Sequence, residues 1–305
     1  QTAPECRVFH LPVGIQQDAN PLEFSADDRF VAGFSRAAEG GGLWFWDLAS
    51  GRPVAHQALT VPNGFIVVDR QTLLTSSEQG VLLWTNAQPA TSWVPVRQSL
   101  VVPPDGRDFG GVSLSADRQQ IVVRRDGISQ VFDYPSLRLR LTLQGQPLSE
   151  LAQFSRDGRW LVSGYWDNTG SHRSEFWIWS AVDGQPVRKI AAGNCWPLFS
   201  PDGRYLLVVA DNEYSQYALE GPPAQWPLVR RYERETTSFV AGAAAFSADG
   251  KVLAVQADDR VFALVETETG RELARLTPPP HVATTVGAGF SHNGRWFVTH
   301  SEQGV

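Results

Sequence analysis

A six-residue phrase, Phe-Ser-x-Asp-Gly-Arg, recurs along this chain of 305 residues and constrains its fold more than any other feature. Its copies, intact or degraded, begin at Phe24, Leu114, Phe154, Phe199, Phe246 and Phe290. From position 114 onward the starts lie 40, 45, 47 and 44 residues apart, and the preceding gap of 90 residues fits two repeats. The missing copy is expected near Val67–Gln71, which makes seven. Self-similarity at such a period indicates a repeat architecture.

Each repeat has the same local pattern. An apolar strand enters the Ser-x-Asp-Gly turn, where Asp caps the backbone and Gly adopts positive φ. In the fourth repeat, a second strand is expected at Trp160–Gly164 and a third at Phe176–Trp179. A tight turn ending at Gly184 then leads to a short fourth strand, Val187–Ala191. Four antiparallel strands in each of seven repeats predict an all-β, seven-bladed β-propeller.

Trp-Asp dipeptides, intact or degraded, at the ends of the third strands carry a family resemblance, together with one His. Trp46 and Asp47 form the intact dipeptide. The degraded copies keep Trp84, Asp133 or Trp179, and the His is His281. The sequence resembles the WD-repeat β-propeller family, in a degenerate bacterial form, over essentially the whole chain. In that family a His before the innermost strand bonds toward the Trp, and only His281 has this spacing. We therefore expect the family's polar network to be mostly absent and packing to replace it.

The two ends of the chain match consecutive parts of one repeat. Ser301–Val305 repeats Ser77–Val81, and Cys6–Gly14 aligns with the third strand and turn of the first blade. Both termini are therefore expected to build one blade, which removes the open edge of the ring. The prediction is a single domain, 1–305, whose closing blade comes from about 285–305 plus 5–19.

Loop lengths predict which face of the disc binds a partner. The turns inside each strand pair are short, whereas longer segments are expected together on the other face: Ser35–Gly42, Gln98–Asp108, Tyr165–Ser174, Gly221–Ser238 and Thr277–Thr284. Loops elaborated on a rigid scaffold commonly carry binding residues. We call this expected surface the loop face.

Arg, Trp and Tyr, which are enriched at interface hot spots, occur in those segments. The candidate partner-binding residues are Arg36, Glu39, Trp166, Asp167, His172, Arg173, Trp226, Arg230, Arg231, Tyr232 and Arg234. The alternative is that Trp166 and Trp226 pack beneath their own loops while the arginines are merely solvated.

Signatures of catalysis and of metal binding are absent from the sequence. It contains no nucleophile elbow, phosphate-binding loop, zinc-protease motif or paired-cysteine motif, so no catalytic residue, metal or cofactor is expected. Cys6 and Cys195 are expected two blades apart, too far for a disulfide. The net charge of −6 makes nucleic acid an unlikely partner. No apolar run approaches the ~18 residues of a membrane span.

The resemblance implies a non-catalytic scaffold or sensor propeller that binds a protein or peptide, as a module of a larger bacterial signalling or regulatory protein. Other domains of that parent chain are further candidate partners. Two alternatives remain open: a propeller that gates an enzyme such as a peptidase, and a periplasmic interaction propeller of the Tol type. A cytoplasmic location is expected, or a periplasmic or secreted one if a signal peptide preceded Gln1.

Overall fold

Short antiparallel strands make up nearly all the regular structure of the protein. The computed structural model describes residues 22–35, 42–58, 62–69, 71–77, 80–86, 95–102, 109–125, 127–143, 149–165, 175–192, 194–210, 213–234, 243–277 and 285–301. Their helical structure is one 3₁₀ turn, η1 (Pro223–Gln225). No described helix has the length and apolar character needed to cross a membrane.

The strands form consecutive four-stranded units, the blades. Blade one comprises β1 (Glu23–Phe24), β2 (Phe30–Ser35), β3 (Gly42–Asp47) and β4 (Pro53–Ala58), and blade two comprises β5 (Pro62–Val67), β6 (Thr72–Ser77), β7 (Gly80–Asn86) and β8 (Pro95–Val102). Blade three comprises β9 (Phe109–Leu114), β10 (Gln120–Arg125), β11 (Ile128–Asp133) and β12 (Leu139–Leu143), and blade four comprises β13 (Ser149–Phe154), β14 (Trp160–Tyr165), β15 (Glu175–Ser180) and β16 (Pro186–Ala191).

Two further blades and a smaller sheet follow. Blade five comprises β17 (Cys195–Phe199), β18 (Tyr205–Ala210), β19 (Glu213–Ala218) and β20 (Leu228–Glu233), and blade six comprises β21 (Ala244–Phe246), β22 (Val252–Gln256), β23 (Phe262–Glu266) and β24 (Glu272–Leu276). The last sheet pairs β25 (Thr285–Phe290) with β26 (Phe297–Ser301). The described residues thus form an all-β propeller with six four-stranded blades and a two-stranded part of a seventh.

Apolar clusters join each sheet to the next around the ring. At the junction of the first and last sheets, Leu22 and Phe24 share a buried cluster with Val298, and Trp296 packs against it. On the other side of the last sheet, Phe262 of blade six meets Phe297 edge to face, with ring centroids 5.4 Å apart. Burying one face of each sheet against its neighbour gives the ring a continuous core. The expected N-terminal strands at 5–19 lie outside the described residues.

The Ser-x-Asp-Gly turns repeat one hydrogen-bond network. The buried Ser hydroxyl donates to the Asp or Asn side chain at 2.6–3.0 Å, and accepts the backbone N–H five residues later at 2.9–3.0 Å. The Ser and Asp or Asn pairs are Ser25–Asp27, Ser115–Asp117, Ser155–Asp157, Ser200–Asp202, Ser247–Asp249 and Ser291–Asn293. The expected missing copy also forms a turn, since Asp69 accepts the Gln71 N–H at 2.8 Å.

One degraded copy links the two ends of the ring. Asp28 occupies the usual Gly position with φ of 54°, a conformation that costs a residue with a Cβ. Its carboxylate accepts the backbone N–H groups of His292 and Asn293 at 2.8 and 2.7 Å, and lies 3.0 Å from the His292 ring. The departure from the repeat therefore ties blade one to the last sheet.

The residues expected to be structural are largely internal. Trp46 is fully buried, and Asp47 accepts both the backbone N–H and the hydroxyl of Ser50 at 2.8 Å. Asp133 pairs with two arginines, Arg138 and Arg140, at 3.3 and 3.4 Å. His281 lies outside the described residues.

Part of the polar network expected to be absent is present. The Trp84 indole donates to the Thr75 hydroxyl at 2.9 Å, and the Trp179 indole donates to the Ser163 hydroxyl at 2.8 Å. The register places each hydroxyl two residues beyond the Trp's cross-strand partner on the second strand. The network was expected to be mostly absent, and these two indole hydrogen bonds are the part of it found in blades two and four.

Candidate functional site

Six of the eleven candidate partner-binding residues lie outside the described residues: Arg36, Glu39, Trp166, Asp167, His172 and Arg173. Their proposed role in partner binding stays a prediction. The structure places the other five, which are Trp226, Arg230, Arg231, Tyr232 and Arg234.

The segment that contains those five residues is not the inter-blade loop that was expected. Residues 219–227 connect the third and fourth strands of blade five, and Leu228–Glu233 is itself the fourth strand. Most of the expected loop therefore lies in blade five, and its connection lies on the face of the short turns, here named the turn face. The strand was missed because Pro222 and η1 replace the short turn ending in Gly that precedes the fourth strand in blades one, four and six.

Contacts within the chain engage all five side chains. Trp226 is 2% exposed and its indole donates to Gly221 O at 3.2 Å, as in the alternative of packing beneath its own connection. Arg231 pairs with Glu213 at 3.4 Å, and the Tyr232 hydroxyl donates to Gln216 at 2.9 Å. Arg234 is 7% exposed and donates to Gln256 at 3.5 Å.

Arg230 in blade five and its counterpart Arg188 in blade four each form hydrogen bonds with the blade that follows their own. Arg230 donates to the carbonyls of Thr267 and Glu268 in blade six at 3.4 Å. Arg188, at the same position of its own fourth strand, donates to the carbonyls of Pro223 and Trp226 at 3.0 and 2.8 Å. Both arginines thus tie a fourth strand to the connection of the following blade.

A cleft of about 330 Å³ opens on the turn face at the junction of blades four and five. One wall is the turn Ser155–Trp160 of blade four. The other wall combines the turn of blade five at Asp202 and Gly203 with the connection that carries Leu219 and Trp226. This connection is longer than the five-residue turns at the same place in blades one, three, four and six, and it forms one wall of the cleft.

Aromatic rings form the apolar part of the cleft. Trp160 is partly exposed and meets the buried Trp226 edge to face, with centroids 6.3 Å apart. Phe199 contacts the same Trp226 ring at 6.3 Å. Arg159 lies over the Trp160 ring, 5.9 Å from its centroid. Rigid aromatics beside arginine are typical of interface hot spots.

The carboxylates of the cleft belong to their own turns. Burial raises the pKa of Asp157, but hydrogen bonds from Ser155 and Arg159 outweigh it and bring the pKa below its usual value. The pKa of Asp202 is lowered in the same way by Ser200 and Arg204. Both groups are ionised at neutral pH and already hydrogen-bonded, so neither is poised as an acid or base.

A recurring dipeptide in the sequence marks this site. After the turn Gly or its replacement, an Arg followed by an aromatic residue recurs as Arg29-Phe30, Arg159-Trp160, Arg204-Tyr205 and Arg295-Trp296. The first three arginines lie over their aromatic neighbours, at 4.9, 5.9 and 5.4 Å. An arginine followed by an aromatic residue just after each turn indicates the turn face.

Two titratable side chains, Glu23 and Cys195, do not line the cleft. On the innermost strand of blade one, burial raises the pKa of Glu23 to about 7. Cys195 is buried and forms no disulfide with a described residue, while Cys6 lies outside those residues. In the described ranges no three His, Cys, Asp or Glu side chains gather as a metal site would require.

Comparison with known proteins agrees with this architecture. The family model described as WD domain, G-beta repeat, matches residues 138–170. That stretch begins at the fourth strand of blade three and runs through the first two strands of blade four. The matched repeat and the consecutive four-stranded sheets together support a β-propeller of the WD-repeat family.

A solved structure extends the likeness to nearly the whole chain. Hydrazine synthase of Kuenenia stuttgartiensis superposes with a TM-score of 0.75 at 13% sequence identity, covering 98% of this chain and 96% of that chain. At this identity the likeness establishes the fold alone. No curated protein sequence matches the chain.

Proposed function

We propose that this propeller is a non-catalytic scaffold that binds a protein or peptide partner, and that the cleft is its binding site. One observation carries the proposal: Arg156, Arg159 and the partly exposed Trp160 line one wall of a concave site, and the turns that form its walls are held by internal hydrogen bonds. Rigid walls reduce the ordering cost of binding. WD-repeat propellers typically serve as interaction scaffolds, which supports the same function.

The electrostatics of the cleft support a binding role over catalysis. Asp157 and Asp202 have lowered pKa values, whereas a general base acts best with a pKa near the operating pH. The carboxyl with a pKa of about 7, Glu23, lies on the innermost strand of blade one and does not line the cleft.

The test is a selection of random 12-residue peptides on the folded full-length chain, followed by hydrogen–deuterium exchange of the complex. Protection of the amides in 155–160 and 219–227 is the expected result. Protection confined to the loop face, around Trp166 and His172, would move the site there and contradict the cleft. Failure to enrich any peptide against the heat-denatured control would contradict the binding function.

We further propose that the ring has seven four-stranded blades, the last completed by strands from residues 5–19. Support comes from the match between Cys6–Gly14 and the third strand of blade one, and from the Asp28 contacts to the last sheet. Deleting residues 1–14 should then lower the thermal unfolding midpoint by more than 10 °C, since it exposes the edge of β26. An unchanged midpoint in differential scanning calorimetry would contradict the shared blade.

A further inference from the structure

The charge balance of the cleft is uneven. Asp157 pairs with Arg159 at 2.6 Å and Asp202 pairs with Arg204 at 2.8 Å, so each turn neutralises its own carboxylate. Arg156 has no carboxylate within salt-bridge distance among the described residues. One uncompensated positive charge therefore lies at the cleft, although the whole chain carries a net charge of −6.

The Arg156 guanidinium is held in place before any ligand binds. It donates through Nη1 to the carbonyl of Pro201, 45 residues along the chain. Its aliphatic stem lies over Gly203, where an added Cβ would meet the Arg156 Cβ and Cδ atoms at 3.4 and 3.5 Å. Arginine has five N–H donors in a planar fork. The described contacts use one of them in Arg156 and one in Arg159, so donors remain for an anionic ligand.

This position is specific to one turn of the ring. The residue between Ser and Asp is Ala26, Ala116, Arg156, Pro201 and Ala248 in five of the turns and His292 in the last. The repeat therefore does not require an arginine here. Its presence coincides with the longer connection of blade five, which leaves room beside it.

We propose that the cleft recognises an acidic side chain, Asp or Glu, in an extended segment of a protein partner, with a neighbouring apolar side chain on Trp160. This inference rests on the proposed binding function and adds the chemistry of the partner. A carboxylate fits the planar fork of Arg156 bidentately, with Arg159 as a second donor group. The ring of Trp160 supplies the apolar contact beside it.

The experiment uses the peptides selected on the folded chain and measures their affinity by fluorescence anisotropy. Enriched sequences should contain Asp or Glu next to an apolar residue. Replacing the Asp with Asn, or the Glu with Gln, should weaken binding roughly tenfold or more. The Arg156→Gln substitution should lower the affinity for the acidic peptide by a similar factor. Arg271→Gln, an exposed arginine on a turn of blade six, is the matched control and should change affinity less than twofold.

A double-mutant cycle separates recognition from a general loss of structure. Arg156→Gln should not weaken the amide peptide further, because the pair that it removes is already gone. Two outcomes would overturn the acidic-ligand inference while leaving the binding function intact. One is that the two losses of affinity are additive, and the other is that neither substitution changes the affinity. The amide peptide tests the inference on the unaltered protein, even if the Arg156 variant folds poorly. Absence of any selected peptide would overturn both proposals.

Discussion

The junction between blades four and five and the junction between blades five and six are both built from Ser-x-Asp-Gly turns. They differ in which side chains fill the space between those turns. At the first, the turn of blade five approaches the stem of Arg156 at ordinary contact distance, and the cleft remains. At the second, Gly250 lies directly on Asp202, and a Cβ there would come within 2.6 Å of the Asp202 Cγ. One junction is open and the other is closed.

Polar contacts strengthen the closed junction. Gln216 is fully buried and donates to the carbonyl of Thr267 at 2.9 Å, while Arg204 reaches Glu268 at 3.4 Å. The residue equivalent to Gln216 in blade four is Ile178, which is apolar and fully buried. A repeat thus specifies blade geometry, while a few side chains decide whether neighbouring blades leave a site between them.

The largest expected effect comes from adding a methyl group to the closed junction. Gly250→Ala should lower the free energy of unfolding by about 3 kcal/mol, because the left-handed backbone becomes strained and Asp202 must also leave its hydrogen bonds. Gly158→Ala is the matched control, since its φ of +68° is similar and nothing lies within 4 Å. It should cost only about 1–2 kcal/mol. Unfolding in guanidinium measures both variants. Equal losses of unfolding free energy would show that Asp202 moves aside without an added cost in free energy.

Removing the buried amide of the closed junction should have the next largest effect. Gln216→Leu leaves the Thr267 carbonyl and the Tyr232 hydroxyl without this partner, which should cost about 2 kcal/mol. Tyr232→Phe removes one donor only and should cost about 1 kcal/mol or less. Chemical denaturation of both variants measures the difference. A neutral Gln216→Leu would mean that apolar packing fills this junction as well as it does in blade four.

Lowering the pH should remove the stabilisation that Asp202, whose side chain lies at both junctions, contributes to the fold. Because the folded-state pKa of Asp202 is lowered, its stabilisation is complete above its ordinary pKa of 3.8 and is lost as pH falls through the folded value. Asp202→Asn should therefore cost about 1 kcal/mol at pH 6, with the gap to the wild type closing as the pH falls below the ordinary pKa of 3.8. Thermal midpoints from pH 6 to 2 measure this gap. The more exposed Asp249, changed to Asn, should give a smaller gap.

The smallest expected effect concerns a hydroxyl at the closed junction. Thr267 is fully buried, and its Oγ1 has no hydrogen-bond partner among the described residues. Thr267→Val keeps the shape and removes this hydroxyl, so stability should stay within about 0.5 kcal/mol or rise by up to about 1 kcal/mol. Calorimetry that showed a loss above 1 kcal/mol would indicate a water bound to the hydroxyl.

Many strands could be predicted from the repeat. Trp160–Gly164 and Phe176–Trp179 were expected as second and third strands of the fourth repeat, and they lie within β14 and β15. The Trp–hydroxyl pairs were missed for a physical reason. Thr75 precedes Trp84 by 9 residues and Ser163 precedes Trp179 by 16, because the loop between the strands varies in length. Only the cross-strand register brings each pair together.

The site depended on residues that the sequence keeps far apart. Arg156 contacts Pro201 and Gly203, and Arg230 contacts Thr267 and Glu268, each across more than 35 positions. Sequence patterns favoured the long loops and placed Leu228–Glu233 among them, whereas pairing with β19 makes it a strand.

The sequence by itself determined the turns and therefore the blades, because the Ser, Asp and Gly that form each turn lie within six consecutive residues and satisfy one another locally. Tertiary structure alone decided which junction stays open. That outcome depends on the length of one connection and on side chains of adjacent blades meeting as the ring is assembled. At the position between Ser and Asp, the open junction has Arg156 and the closed junction has Pro201.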